Sequence, residues 1–285
     1  YINPLEQLTL LAQLDRSRGE YLEEMERSAR MRKLKGIVNA KESLTDLPFV
    51  AQENFVAGAG DYTDMPISLE VPARNIAFKK QDDRYKGRIN FYIEVKNVQG
   101  AIYEKSDILE MNLKEETYMR RISDNYQFKQ RLKLEPGEYA LHIVVWDEYS
   151  GNVGYADRNI MVPGFPQDKF DLSDIILARD MRMVEIKKEE MVIMSKDNPA
   201  LKALEKAKLK VPEKIKIDKT QTFPFTFDNL QINPNPVGDY MQNSDLYFFY
   251  QVYNPTFDAQ QKVAKLFVEY QILQNGKVVG AVGTP

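Results

Sequence analysis

No cysteine occurs anywhere in the 285 residues, and there is only one histidine and one tryptophan. The first absence removes disulfides, thiol catalysis, iron–sulfur clusters and cysteine-ligated zinc together. A single histidine rules out any multi-histidine metal site within the chain. Long apolar runs are lacking as well. "ALHIVVW" is among the longest, far short of what a bilayer span requires. An excess of one charge sign is also missing. Lys and Arg number 39 against 42 Asp and Glu, a formal net charge of -3, so composition points to no nucleic acid. What is present, 43% hydrophobic and 28% charged residues, reads as a soluble globular chain long enough for one large or two ordinary domains.

The first segment reads as helix. Leu8, Leu11, Leu14, Leu22 and Met25 recur at three- to four-residue spacing over residues 4–35, with one phase slip near Gly19. Glu23/Arg27 and Glu26/Arg30 are i,i+4 pairs of favourable polarity, and Gly36 is a stop signal. The punctuated stretch 42–64 has no sustained period and reads as linker. From about residue 65 the period becomes two. "GRINFYIEV" puts Ile89, Phe91, Ile93 and Val95 on one face and Asn90 and Glu94 on the other. Strands are expected at 67–72, 75–78, 88–96, 101–110, 126–134, 138–147 and 153–162, with one more apolar strand closing the exit segment at 178. Seven strands in so short a span predict an immunoglobulin-like sandwich.

Residues 179–221 are charged, with Asp197-Asn198-Pro199 heading a short helix and a run of lysines behind it. Interleaved acids dilute that run, which reads as a solvated face. A second β region follows, with a hairpin turn at Asn275-Gly276. The expected organisation is therefore a mainly β chain. An N-terminal amphipathic helix and linker (1–60) precede a first sandwich (61–178). A charged, partly helical linker (179–221) leads to a second sandwich (222–285) with only four or five strands. That second sheet needs either chain beyond Pro285 or a strand from a partner.

No stretch carries a catalytic signature. His142 alternates onto the face of Ala140, Val144 and Trp146 with no nucleophile elbow beside it, so it reads as structural. The adjacent carboxylates Asp147 and Glu148 point to opposite faces. "AGAGDYT" lacks the third glycine and the strand–turn–helix context of a dinucleotide loop. In "LDRSRGE", Gly19 stands where a metal-binding Asp-x-Ser-x-Ser run needs its final hydroxyl. Oxygen ligands at 123–125 and 146–152 do not match a spaced calcium loop, so no metal and no cofactor is expected. Leu134-x-Pro136-Gly137-x-Tyr139 has the spacing of a tyrosine corner, which locks a Greek-key connection. The aromatic run 246–253 reads as strand core. If exposed, Trp146, Tyr247, Phe249 and Tyr253 would instead offer stacking surfaces to a sugar or a partner.

Two stretches carry a family resemblance. "LKLEPGEYALHIVVWDEYSGNVGYADRNIMVP" with "FDLSDIIL", and "FTFDNLQINPNPVGDYMQNSDLYFFYQVYN" with "LFVEYQILQNGKVV", resemble the region after the integrin-like domain in acidobacterial von Willebrand factor A-related proteins. The likeness covers residues 62–178 and 222–285 and leaves out the A domain and its metal site. It implies tandem β-sandwiches, a periplasmic, outer-membrane-surface or secreted location, and no active-site residues. The expected function is a non-catalytic interaction or structural module in a larger assembly. Helix 4–35 would dock on an upstream domain or another subunit, and the edge of the second sheet would meet a partner or a second copy. The alternative expectation is a carbohydrate-binding module.

Overall fold

Alternating apolar residues form strands through most of the described segments that follow the N-terminal helix. The computed structural model describes residues 4–40, 44–184, 223–256, 264 and 266–284, and these are mainly β, with an N-terminal helix and several antiparallel sheets. The short helix expected after Asp197 and the lysine run to residue 219 lie outside the described residues.

The elements up to residue 162 are α1 (Pro4–Ala40), β1 (Val50–Glu53), β2 (Val56–Ala57), β3 (Thr63–Pro72), β4 (Lys79–Gln81), β5 (Arg84–Asn97), β6 (Gly100–Lys114), α2 (Glu115–Arg121), β7 (Asn125–Leu134), β8 (Gly137–Asp147) and β9 (Val153–Val162). A five-stranded sheet has the order β4-β5-β8-β9, with β6 also paired to β5. A four-stranded sheet has the order β1-β3-β2, with β7 also paired to β3. Ile89, Phe91, Ile93 and Val95 of β5 and Leu141, Ile143 and Val145 of β8 are buried, and Phe91 stacks on Phe128 of β7 at 4.7 Å.

The later elements are β10 (Asp171–Leu172), β11 (Ile176–Met183), β12 (Thr226–Phe227), β13 (Leu230–Pro234), β14 (Tyr247–Phe249), β15 (Val252–Tyr253), β16 (Val268–Gln274) and β17 (Lys277–Thr284). One sheet has the order β12-β13-β11-β14, while β10 pairs with β15 and β16 with β17. Ile176 and Ala178 of β11 pack with Val56, Phe225, Phe227 and Ile232 as a separate core. Asn275 and Gly276 both have positive φ (51° and 75°), as the expected two-residue hairpin turn requires.

The chain divides into two compact units that interleave in sequence. The first takes Tyr1–Gln52, Ser68–Lys129 and Gly137–Val162; the second takes Glu53–Ile67, Gln130–Pro136 and Pro163–Pro285. The expected boundary at 178 therefore falls inside β11, whose apolar side chains pair with β13 and β14. The expected linker 42–64 is also corrected. It supplies β1, β2 and the start of β3, because Val56 is buried and Leu47 and Phe49 pack against Gly154, where a side chain would collide with both. The strand expected at 75–78 is a 3₁₀ turn over Ala73–Asn75, with β4 starting only at Lys79.

The helix does not stop at Gly36 but continues to Ala40. A mid-helix glycine costs about 1 kcal/mol, and burial of Leu34 and Val38 against β5, β8 and β9 outweighs it. Glu26–Arg30 closes at 3.5 Å, whereas Arg27 has no ion partner among the described residues. The side chains of Leu8, Leu11 and Leu14 lie outside the described residues.

Candidate functional site

The outer face of the five-stranded sheet concentrates the ionisable groups of the first unit. Even-numbered residues of β5 share that face with even-numbered β8 and odd-numbered β9 residues, because Glu94 pairs with His142 and His142 with Asp157. On the other side Glu94 pairs with Glu104 of β6. Four titratable side chains thus form one row across four strands.

Each has a local partner. Glu94, only 4% exposed, meets Lys96 Nζ at 2.7 Å, and Tyr92 donates its hydroxyl hydrogen to Glu94 Oε1 at 3.3 Å. His142 Nδ1 lies 2.9 Å from the Tyr155 hydroxyl and 3.5 Å from Asp157 Oδ1, with the two rings parallel. Glu104 is held at 2.6 Å by Lys35 of α1. Beside the row, Leu34 and Val38 of α1 pack on Tyr92, Val144, Trp146 and Val153, and Lys33 Nζ sits 3.5 Å above the Trp146 ring. The last turns of α1 therefore dock on the sheet of their own chain. Tyr21, Leu22 and Met25, further up the same helix, are exposed.

Burial keeps the phenols protonated. The Tyr155 pKa is pushed up to about 12, first by burial and then by the Asp157 and Glu94 charges. Tyr92 is raised well above the ordinary tyrosine range by burial and by Glu94 and Glu104. Both therefore keep their hydroxyl protons at neutral pH, and Tyr92 donates its own to Glu94. Because their folded pKa exceeds the unfolded value of about 10, their contribution is complete below pH 10 and is lost as pH rises towards 12. Wild-type protein should lose thermal stability more steeply than Tyr155→Phe between pH 10 and 12, as scanning calorimetry across that range would register. Equal slopes would remove Tyr155 from the network.

The residues singled out by sequence fall in different places. Gly137 has φ 155°, and the buried Tyr139 ring lies over it, 3.7 Å from where a Cβ would stand. Trp146 is 8% exposed under Lys33, so it offers no stacking face. Tyr247 and Phe249 are half-buried, Phe249 stacking on Phe227 at 4.6 Å. Tyr253 accepts the Ala57 N–H and donates to Gln251. Trp146 is thus covered, and Tyr247, Phe249 and Tyr253 are each partly buried by packing or hydrogen bonds.

Asp147 is fully buried. Its carboxylate accepts the Ala77 and Tyr149 backbone N–H groups and the Ser150 hydroxyl, as a turn-forming aspartate does. Glu148 pairs with Arg88 and accepts from Asn90. Among the described residues, no three His, Asp or Glu side chains are grouped to hold a metal ion.

Sequence reasoning passed over Arg131. In the second unit this buried guanidinium donates to Pro224 O at 2.8 Å and to Thr226 O at 3.1 Å. It also lies 3.7 Å from Asp64 and covers the Phe227 ring. Its face of β7 also carries Asn125, Gln127, Lys129 and Lys133, so alternation alone gave no signal that it is buried. No protein-family model matches the chain, and comparison with curated proteins likewise finds no match.

Proposed function

We propose that the chain is a non-catalytic structural or interaction module, a subunit of a larger assembly, built on two immunoglobulin-like sandwiches. One observation carries the assembly role. Among the described strands, β16 and β17 pair only with each other, and their hairpin leaves Ile272, Leu273, Val278 and Val279 exposed, with Phe267 beside it 74% exposed. Tyr270 anchors the hairpin, its hydroxyl 2.9 Å from that of Tyr250 and its ring edge-on to Phe248. A two-stranded ribbon is marginal alone in water, and an edge with no other described strand beside it is a surface on which a further strand can pair. A strand from a partner protein would satisfy both the edge and the apolar side chains. The exposed Tyr21, Leu22 and Met25 stripe of α1 is a second contact of the same kind.

The non-catalytic reading draws on the way His142, Asp147 and Glu148 are each taken up by neighbours. Location in the cell envelope or outside the cell, and kinship with the von Willebrand factor A-related proteins, rest on the sequence resemblance alone.

Complexes purified from the native host should have an intact mass above that of one chain. The double variant Ile272→Lys/Val279→Lys should shift that mass to a single chain while leaving the melting temperature nearly unchanged, because both side chains are already exposed. A single-chain mass for the unaltered protein would refute the assembly role.

A further inference from the structure

We propose that the cleft between α1 and the β5–β6 hairpin binds a phosphate-type oxyanion. Its volume is about 350 Å³, within the range of small-molecule sites, and its wall includes Arg27 and Arg30 of α1, Asn90 of β5, and Lys105, Ser106 and Asp107 of β6. Three cations face one carboxylate there. Asp107 turns Oδ1 onto the Ile108 N–H at 2.8 Å, and Arg30 is held only loosely, 3.5 Å from an exposed Glu26. Arg27 and Lys105 have no ion partner among the described residues. The wall thus carries three cations against the single Asp107 carboxylate, an excess of positive charge that a phosphate dianion matches.

The residue types fit that ligand. A guanidinium offers paired N–H donors to two oxygens of a tetrahedral anion, and an ammonium adds a third, non-directional contact. Asn90 is buried, its amide fixed on Glu148 Oε2 at 3.3 Å, so the floor is rigid; the Ser106 hydroxyl is a further donor in the wall. Helix and strand both contribute, so the cleft exists only while α1 is docked, and an anion bound there would hold the helix down. This goes beyond the assembly role and does not depend on it.

Trp146 provides the readout, since its cross-strand partner is Asn90, in the cleft wall. Inorganic phosphate titrated into the full chain at constant ionic strength, against sodium chloride, should give saturable Trp146 quenching and a matching calorimetric isotherm. Arg27→Gln and Lys105→Gln should each weaken binding roughly tenfold, the loss of one charge-assisted hydrogen bond. Lys277→Gln, on β17 of the second unit and not in the cleft wall, should leave it unchanged. Circular dichroism establishes that each variant is folded, and Lys105→Arg should restore most of the affinity. Phenyl phosphate binding tighter than inorganic phosphate would assign the cleft to the head of a phosphorylated organic molecule; equal affinity would assign it to the free anion. No saturation beyond the chloride control, or one constant shared by wild type, Arg27→Gln and Lys105→Gln, would overturn the proposal.

Discussion

Leu34→Asp is expected to release the last turns of α1 from the sheet and move Trp146 emission to the red. Leu34 is 1% exposed in a cluster with Val38, Tyr92, Val144, Trp146 and Val153. Truncation to alanine there costs about 2–5 kcal/mol. Aspartate adds the desolvation of a charge, close to Glu94 and Glu104 on the face it would enter. Undocking separates Lys33 from the indole and Lys35 from Glu104, which lie at 3.5 Å and 2.6 Å. Acrylamide quenching and emission maximum measure the indole directly, because it is the only tryptophan. Leu22→Asp, on an exposed part of the same helix, is the control and should leave both unchanged. Unaltered emission in Leu34→Asp would mean that α1 does not cover the sheet.

Arg131→Ala is expected to destabilise the second unit by about 3–5 kcal/mol, the range for breaking a buried charged network. The substitution strands the Pro224 and Thr226 carbonyls, removes the Arg131 charge from beside Asp64 and uncovers the Phe227 ring. Arg131→Met should cost less, since its chain still packs on Phe227 while the carbonyls remain unpaired. Urea denaturation of the full chain, with separate probes for each unit, would register the loss; a change below about 1 kcal/mol would reduce Arg131 to a surface residue.

The periodic elements were legible in the sequence. Alternation in Ile89, Phe91, Ile93 and Val95 located β5, and Asn275-Gly276 located the last hairpin, because both signals are local. The second face of β5 was not. Alternation put Asn90 and Glu94 on that other face without saying what covers it; both are buried, since Tyr92 between them meets the helix and Lys96 neutralises Glu94. The row from Glu104 to Asp157 needs the pairing register of four strands, which no single segment encodes. Arg131 is likewise tied to carbonyls 93 and 95 residues away. β1 and β2 were hidden because strands of four and two residues leave too little alternation to see.

Of the residues singled out for the tyrosine corner, the Tyr139 ring lies over Gly137. His142 and Trp146, the rarest residues in the chain, are part of the same strand's outer face. The histidine is bonded to Tyr155 and the indole is covered by Lys33.

Hydrogen exchange of residues 268–284 in the natively purified complex, set against the isolated chain, tests the assembly role most directly. The account predicts that the outward backbone amides of β16 and β17 exchange quickly in isolation and become protected in the complex. Identical exchange in both preparations would contradict it.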